Sequence, residues 1–162
     1  MKDTVLTSFD EIIERVIEHE GGYVNDPDDA GGKTNWGISE RFYPTLDILN
    51  LTKEQAKEIY KRDYWDKNRV EELPYHLRHI FFDMCVNQGR RTAVKILQRA
   101  TNSKGKNLKV DGGMGPATLK AIEYIELERV RAYRVKYYAD LVNAKPEQDK
   151  FYFGWFKRSM EV

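Results

Sequence analysis

The segment that most restricts how this chain can fold runs from Ser8 to Ser39. Ser8, with Glu11 three positions on, forms a capping-box pair, and Phe9, Ile12, Ile13, Val16 and Ile17 then recur at helical spacing. The predicted helix stops abruptly, because Gly21 and Gly22 follow Glu20 directly. Next comes YVNDPDDAGGKTNWGIS, so dense in Gly, Asn, Asp and Pro that it reads as an irregular loop with room for a small hairpin. The pattern sets a carboxylate at a helix end, beside a polar loop able to turn back towards it.

The rest of the chain is helical in pattern. Thr52 and Gln55 make a second capping box, opening a helix through Ala56, Ile59 and Tyr60 towards Trp65. A third helix is predicted from about Tyr75 to Val86, with Leu77, Ile80, Phe81 and Met84 on one face and Asn87-Gln88-Gly89 at its end. A fourth carries Ala93, Val94, Ile96, Leu97 and Ala100. The glycine-rich NSKGKNLKVDGGMGPATL reads as a compact turn, and Pro116 suits the first turn of a long helical region broken near Ile125 and reaching about Asn143. The closing aromatics Phe151, Tyr152, Phe153, Trp155 and Phe156 are expected to pack back on the body, since that much apolar area is costly to leave in water. The fold class is mainly α, with a small irregular or hairpin region.

Composition bounds the functions. A chain of 162 residues with 41% hydrophobic residues can bury a core of its own, as one domain or as a catalytic region with a small second lobe. The single Cys85 cannot form an internal disulfide. The opening MKDTVLTSFDEII has no apolar signal core and no later run is long enough to cross a membrane, so the expectation is synthesis in the cytoplasm without membrane insertion. The net charge of +1 is unevenly spread: residues 1–89 hold 11 Lys/Arg and 18 Asp/Glu, whereas residues 90–136 hold 12 and 4. The basic stretch suits either a solvated helical face or attraction to a polyanion; no stacking module accompanies it, so nucleic acid is not expected.

Glu20 is the leading chemical candidate. The negative end of a helix dipole disfavours a nearby carboxylate, and a carboxyl kept protonated near neutral pH is what a general acid for glycosidic cleavage needs. A merely solvated glutamate would have the same local sequence. The loop beyond it offers Asp26, Asp28, Asp29, Thr34 and Asn35. Inverting glycosidases set two carboxyls roughly 6.5–9.5 Å apart to admit water, and a loop turning back over Glu20 can bring Asp29 and Thr34 across such a gap. The same aspartates suit Asx-turns, and the calcium-loop pattern is absent. Tyr23 and Trp36 offer flat surfaces for sugar rings, whereas Tyr64 and Trp65 fit the core better. His76 and His79 lack further ligands at metal spacing, Cys85 lacks a histidine partner, and Gly112, Gly113 and Gly115 match no phosphate or dinucleotide loop. No metal and no cofactor is expected.

Together these segments resemble glycoside hydrolase family 108, the phage endolysin and secretion-activator type of N-acetylmuramidase. HEGGYVNDPDDAGGKTNWGIS at residues 19–39 is similar to the family's E-G-G-Y, D-P-x-D-x-G-G and T-N-x-G-I signature. IYKRDYWD at 59–66 and FFDMCVNQG at 81–89 agree further, while VDGGMGPATL at 110–119 and the late FGW at 153–155 resemble the peptidoglycan-binding segment that usually follows.

The resemblance implies a lysozyme-like catalytic region over residues 1–92 and a helical peptidoglycan-binding segment over residues 93–162. It implies Glu20 as catalytic acid, with Asp29 activating water and Thr34 positioning it. This is similar to the T-even phage lysozymes, although the Asp29-to-Thr34 interval is one residue shorter here. Asn87, in the N-x-G that ends the third helix, is implied as a substrate contact beside Tyr23 and Trp36. The implied partner is bacterial peptidoglycan, cut by a monomer at the β-1,4 bond between N-acetylmuramic acid and N-acetylglucosamine after release through a holin-type pore. The alternatives are a lytic transglycosylase and a wall-binding scaffold without activity.

Overall fold

The structure, a computed structural model, describes residues 6–25 and 32–162. It is mainly α, with seven α-helices and one small antiparallel sheet among the described residues. Contacts divide the chain into two compact units, residues 6–67 and 68–162. No helix among the described residues is long and apolar enough to cross a membrane.

The unit of residues 6–67 opens with α1 (Phe9–Glu20), which starts where the capping box predicts: the Ser8 hydroxyl accepts from the Glu11 N–H while the Glu11 carboxylate accepts from the Ser8 N–H. Ile12, Ile13, Val16 and Ile17 are buried along one stripe. The Gly21 N–H donates to the Ile17 carbonyl at 3.1 Å, and its φ of 76° then turns the chain away from the helix. The polar loop holds more order than its composition suggests. Strands β1 (Val24–Asn25), β2 (Lys33–Asn35) and β3 (Ile38–Ser39) pair antiparallel in sequence order, with Val24 opposite Thr34 and Asn35 opposite Ile38.

Helix α2 (Lys53–Tyr60) again starts at its predicted capping box, Thr52 with Gln55. Glu14 of α1 receives Lys53 at 2.6 Å and also Lys57, and these hydrogen bonds hold its carboxyl below the usual carboxylate range. Past Tyr60 the chain stays helical but changes hydrogen-bond register, forming a six-residue π-helix over Lys61–Asp66. Its Trp65 is fully buried, with the ring edge-on to Phe9 at 5.4 Å.

In the unit of residues 68–162, α3 (Tyr75–Gln88) buries Leu77, Ile80, Phe81, Phe82, Met84 and Cys85 on nearly every side, as a central helix does. It is followed by α4 (Arg90–Asn102), α5 (Pro116–Ala121), α6 (Leu127–Ala144) and α7 (Asp149–Glu161). The break expected near Ile125 is present, with Ile122 and Ile125 buried between α5 and α6. The glycine-rich turn is clasped by Gln98, whose amide donates to Asp111 at 3.0 Å and to the Gly113 carbonyl at 3.1 Å while accepting from the Gly112 N–H.

His76 and His79 are half-buried, and the His76 ring lies 2.8 Å from the Ile125 carbonyl. One expectation needs correction. The closing aromatics do not all pack inward. Trp155 stacks on Tyr138 at 4.7 Å, but Phe151, Phe153 and Phe156 remain exposed, Phe153 by 76%. A single helix turns only one stripe inward, and on α7 that stripe runs through Tyr152, Trp155 and Ser159.

Candidate active site

Glu20 is the last residue of α1 and is half-buried. Its surroundings come from the turn between β2 and β3. Trp36 and Gly37 form that two-residue turn, with φ values of 52° and 76°, the primed-turn geometry that matches the twist of a hairpin. Left-handed backbone is unusual for a tryptophan. Here it is over-determined: the indole Nε1 donates to the Leu51 carbonyl at 3.0 Å, and the Trp36 carbonyl accepts from the Tyr60 hydroxyl at 3.0 Å. Asn35, buried one step earlier, donates to the Ile48 carbonyl at 3.1 Å.

The turn is pressed against the carboxylate side chain. A Cβ added at Gly37 would lie 2.8 Å from both Cβ and Cγ of Glu20, and closer still to the Tyr60 hydroxyl. Glu20, Gly37 and Tyr60 therefore close on one point, and only a residue without a side chain fits there. The Tyr64 ring lies 5.4 Å from that of Tyr60. Burial foremost, then the charges of Asp63 and Glu20, raises the Tyr64 hydroxyl above its ordinary range, against a lowering hydrogen bond with Tyr43. Tyr43 shares a hydrogen bond with Tyr64 and donates to Asp63 at 2.8 Å; burial foremost, then that carboxylate, pushes Tyr43 upward too.

The structure thus gathers Glu20 and Trp36 of the expected site residues into one cluster. Thr34 is half-buried on β2, two residues before the turn, and Tyr23 is 40% exposed just before β1. Asp29, with Asp26 and Asp28, lies outside the described residues. Asn87 lies in the other unit, exposed near the end of α3, where its amide donates to the Tyr138 hydroxyl at 2.8 Å.

Sequence reasoning missed Gly37 and Tyr60 and assigned Tyr64 to the core. Trp65 is core as expected, but its neighbour Tyr64 is only half-buried. The available signal was the Trp-Gly pair in TNWGIS, a hairpin-turn dipeptide two residues past Thr34. Cys85 fits its expected inertness: burial pushes the thiol up to about 12, far from a thiolate nucleophile.

Residues 13–89 match the family described as glycosyl hydrolase 108, and residues 92–160 match that described as a predicted peptidoglycan domain. Among solved structures, that of Brucella abortus SagA is similar with a TM-score of 0.75 and 27% sequence identity, over 94% of this chain and 90% of that one. No curated protein matches the chain.

Proposed function

We propose that this chain, a glycoside hydrolase of family 108 that acts on peptidoglycan and carries a peptidoglycan-binding segment, is an N-acetylmuramidase with Glu20 as its general acid. The bond cut is the β-1,4 linkage between N-acetylmuramic acid and N-acetylglucosamine. The observation that carries the assignment of Glu20 is the closure of the Trp36-Gly37 turn on its side chain, with Tyr60 and Tyr64 alongside. A carboxyl fixed in this way at a helix end, half-shielded from water, is suited to deliver a proton to a leaving glycosidic oxygen.

Asp29 then activates the attacking water and Thr34 positions it, as the sequence pattern suggests. Tyr23 and Trp36 offer ring faces to sugars. Asn87 offers an amide to the glycan strand, and its bond to Tyr138 supports that role by holding the exposed side chain in one orientation before substrate arrives. The catalytic region is residues 1–92 and the wall-recognition segment residues 93–162.

Mass spectrometry of fragments released from purified peptidoglycan tests the reaction. Reducing N-acetylmuramic acid ends are expected, one water heavier than anhydro ends. Mainly anhydro ends would make the enzyme a lytic transglycosylase, and wall binding without any fragments would leave a scaffold. Glu20→Gln keeps the shape but removes the proton, so lysis should fall at least about a hundredfold with thermal stability little changed. A folded variant that keeps more than a tenth of wild-type lysis would remove Glu20 from the mechanism.

A further inference from the structure

Helix α4 holds four Arg/Lys and no Asp/Glu. Ala93, Val94, Ile96, Leu97 and Ala100 form its buried face. On the opposite face Arg91 and Arg99 are exposed, with Lys95 half-buried between them. Residues at steps of four stand one above another on a helix, so this row spans about 12 Å with a cation roughly every 6 Å. Helix stability does not explain it. Like charges at this spacing repel, and the first turn of α4, the positive end of its dipole, contains two arginines and no acid.

The row is not neutralised within its unit. Lys104 and Arg129 share Glu126, Lys136 has Asp140 and Lys157 has Glu161. Arg91, Lys95 and Arg99 have no carboxylate partner among the described residues. The glycine-rich turn is fastened along the same helix. Asn102 accepts from the Leu108 N–H at 2.7 Å and donates to the Leu108 carbonyl at 2.8 Å, and Gln98 clasps the turn again at residues 111–113. A Cβ at Gly112 would lie 2.6 Å from Arg91 Cγ, so the turn closes against the start of the row. Lys109 is exposed between these anchors. The carboxylate of the turn, Asp111, is engaged by Gln98 at 3.0 Å and by the Gly113 N–H at 2.8 Å.

We infer that Arg91, Lys95 and Arg99, with Lys109 beside them, form a surface that holds peptidoglycan by the carboxylates of its stem peptides. The inference rests on the reading of peptidoglycan as the partner. Guanidiniums suit this ligand, because each can hold a carboxylate through two parallel N–H···O bonds. Stem peptides recur along a glycan strand, so individually weak contacts are made in series on one polymer.

Co-sedimentation with purified sacculi tests it, with Glu20→Gln in every chain to slow digestion. Changing Arg91, Lys95 and Arg99 together to Gln should weaken binding about tenfold, the combined scale of three exposed charge contacts. Changing Lys136, Lys145 and Lys150 together to Gln removes the same charge and should alter binding by less than about twofold. Amidating the sacculus carboxylates should bring the chain with an intact row down to the level of the row variant. Stripping phosphodiester polymers from the sacculi with acid should leave binding unchanged. Equal losses in the two triple variants, full binding to amidated sacculi, or binding lost only on acid stripping would each overturn the proposal. If the row variant does not fold, Lys95→Gln with Arg99→Gln decides, since the Gly112 contact is then kept: unchanged binding overturns the proposal and weakened binding supports it. Failure of the intact row to bind any sacculi would overturn the reading of peptidoglycan as partner instead, which keeps the two failures apart.

Discussion

Gly37 bears the tightest steric demand at the site. Its φ of 76° is left-handed backbone, which costs an L-residue roughly 1–2 kcal/mol. An added methyl would also meet Glu20 Cβ and Cγ at 2.8 Å and the Tyr60 hydroxyl closer still. The three cannot all stay in place, so Gly37→Ala should displace the Glu20 side chain. Misplacement by about 1 Å can cost on the order of a hundredfold in rate, much more than the expected loss of stability implies. The comparison to make is kcat against thermal midpoint: a modest fall in Tm with a large fall in kcat is expected. Unchanged kcat would mean that the turn does not set the position of Glu20. Glu20 itself is legible from sequence as a carboxylate before two glycines, but its neighbours are not, because Gly37 and Tyr60 reach it from 17 and 40 positions away.

At the scale of elements, α3 depends on charge partners from two later helices. Asp83 is fully buried and accepts from Arg134 of α6 at 2.6 Å and from Arg158 of α7 at 2.8 Å. Burial alone would raise its pKa, but the two guanidiniums outweigh burial and hold the carboxyl below its ordinary range. A depressed carboxylate contributes stability that is present above the unfolded value, about 3.9, and is lost as pH falls through the lower folded value. Asp83→Asn leaves two cations facing a neutral amide, a change that costs about 3–5 kcal/mol when a buried pair is broken. At neutral pH the variant should melt roughly 10 °C or more below the wild type. Below about pH 4 the gap should narrow, because only the wild type then loses this contribution. Thermal melts across pH 2.5–7 would check it (the range is approximate, about 1.5 below the unfolded value to neutrality). A gap that stays constant on acidification would show that Asp83 does not carry the acid dependence.

At the scale of the molecule, family segments and compact units divide the chain at different places. The glycosyl hydrolase 108 match ends at residue 89, one residue before α4 begins, whereas the contact division falls between Lys67 and Asn68. Helix α3 therefore belongs by sequence to the hydrolase segment and by packing to the unit that holds the peptidoglycan domain. A fragment of residues 1–92 would keep Asp83 but lose Arg134 and Arg158, and would uncover the apolar surface that α4 and α6 cover. We expect it to show no cooperative unfolding transition by circular dichroism and no lysis. A soluble, cooperatively melting and active fragment would refute this account and make the wall-recognition segment a detachable module.

The sequence alone determined features whose causes are local. Both capping boxes, the stop at Gly21, the break near Ile125 and the mainly α class follow from side chains acting within a few residues of themselves. The family was legible for a related reason: its signature at residues 19–39 is nearly contiguous, so no folding is needed to assemble it. Tertiary structure decided what depends on distant partners. It decided that Lys61–Asp66 widens into a π-helix, that the Trp36-Gly37 turn closes on Glu20, and that Tyr64 leaves the core. It also decided that the aspartate of FFDMCVNQG is a buried counter-ion for two arginines more than 50 residues away. Apolar periodicity marks which face of a helix turns inward. It carries no information on which polar groups will meet there, and that depends on packing between elements far apart in the chain.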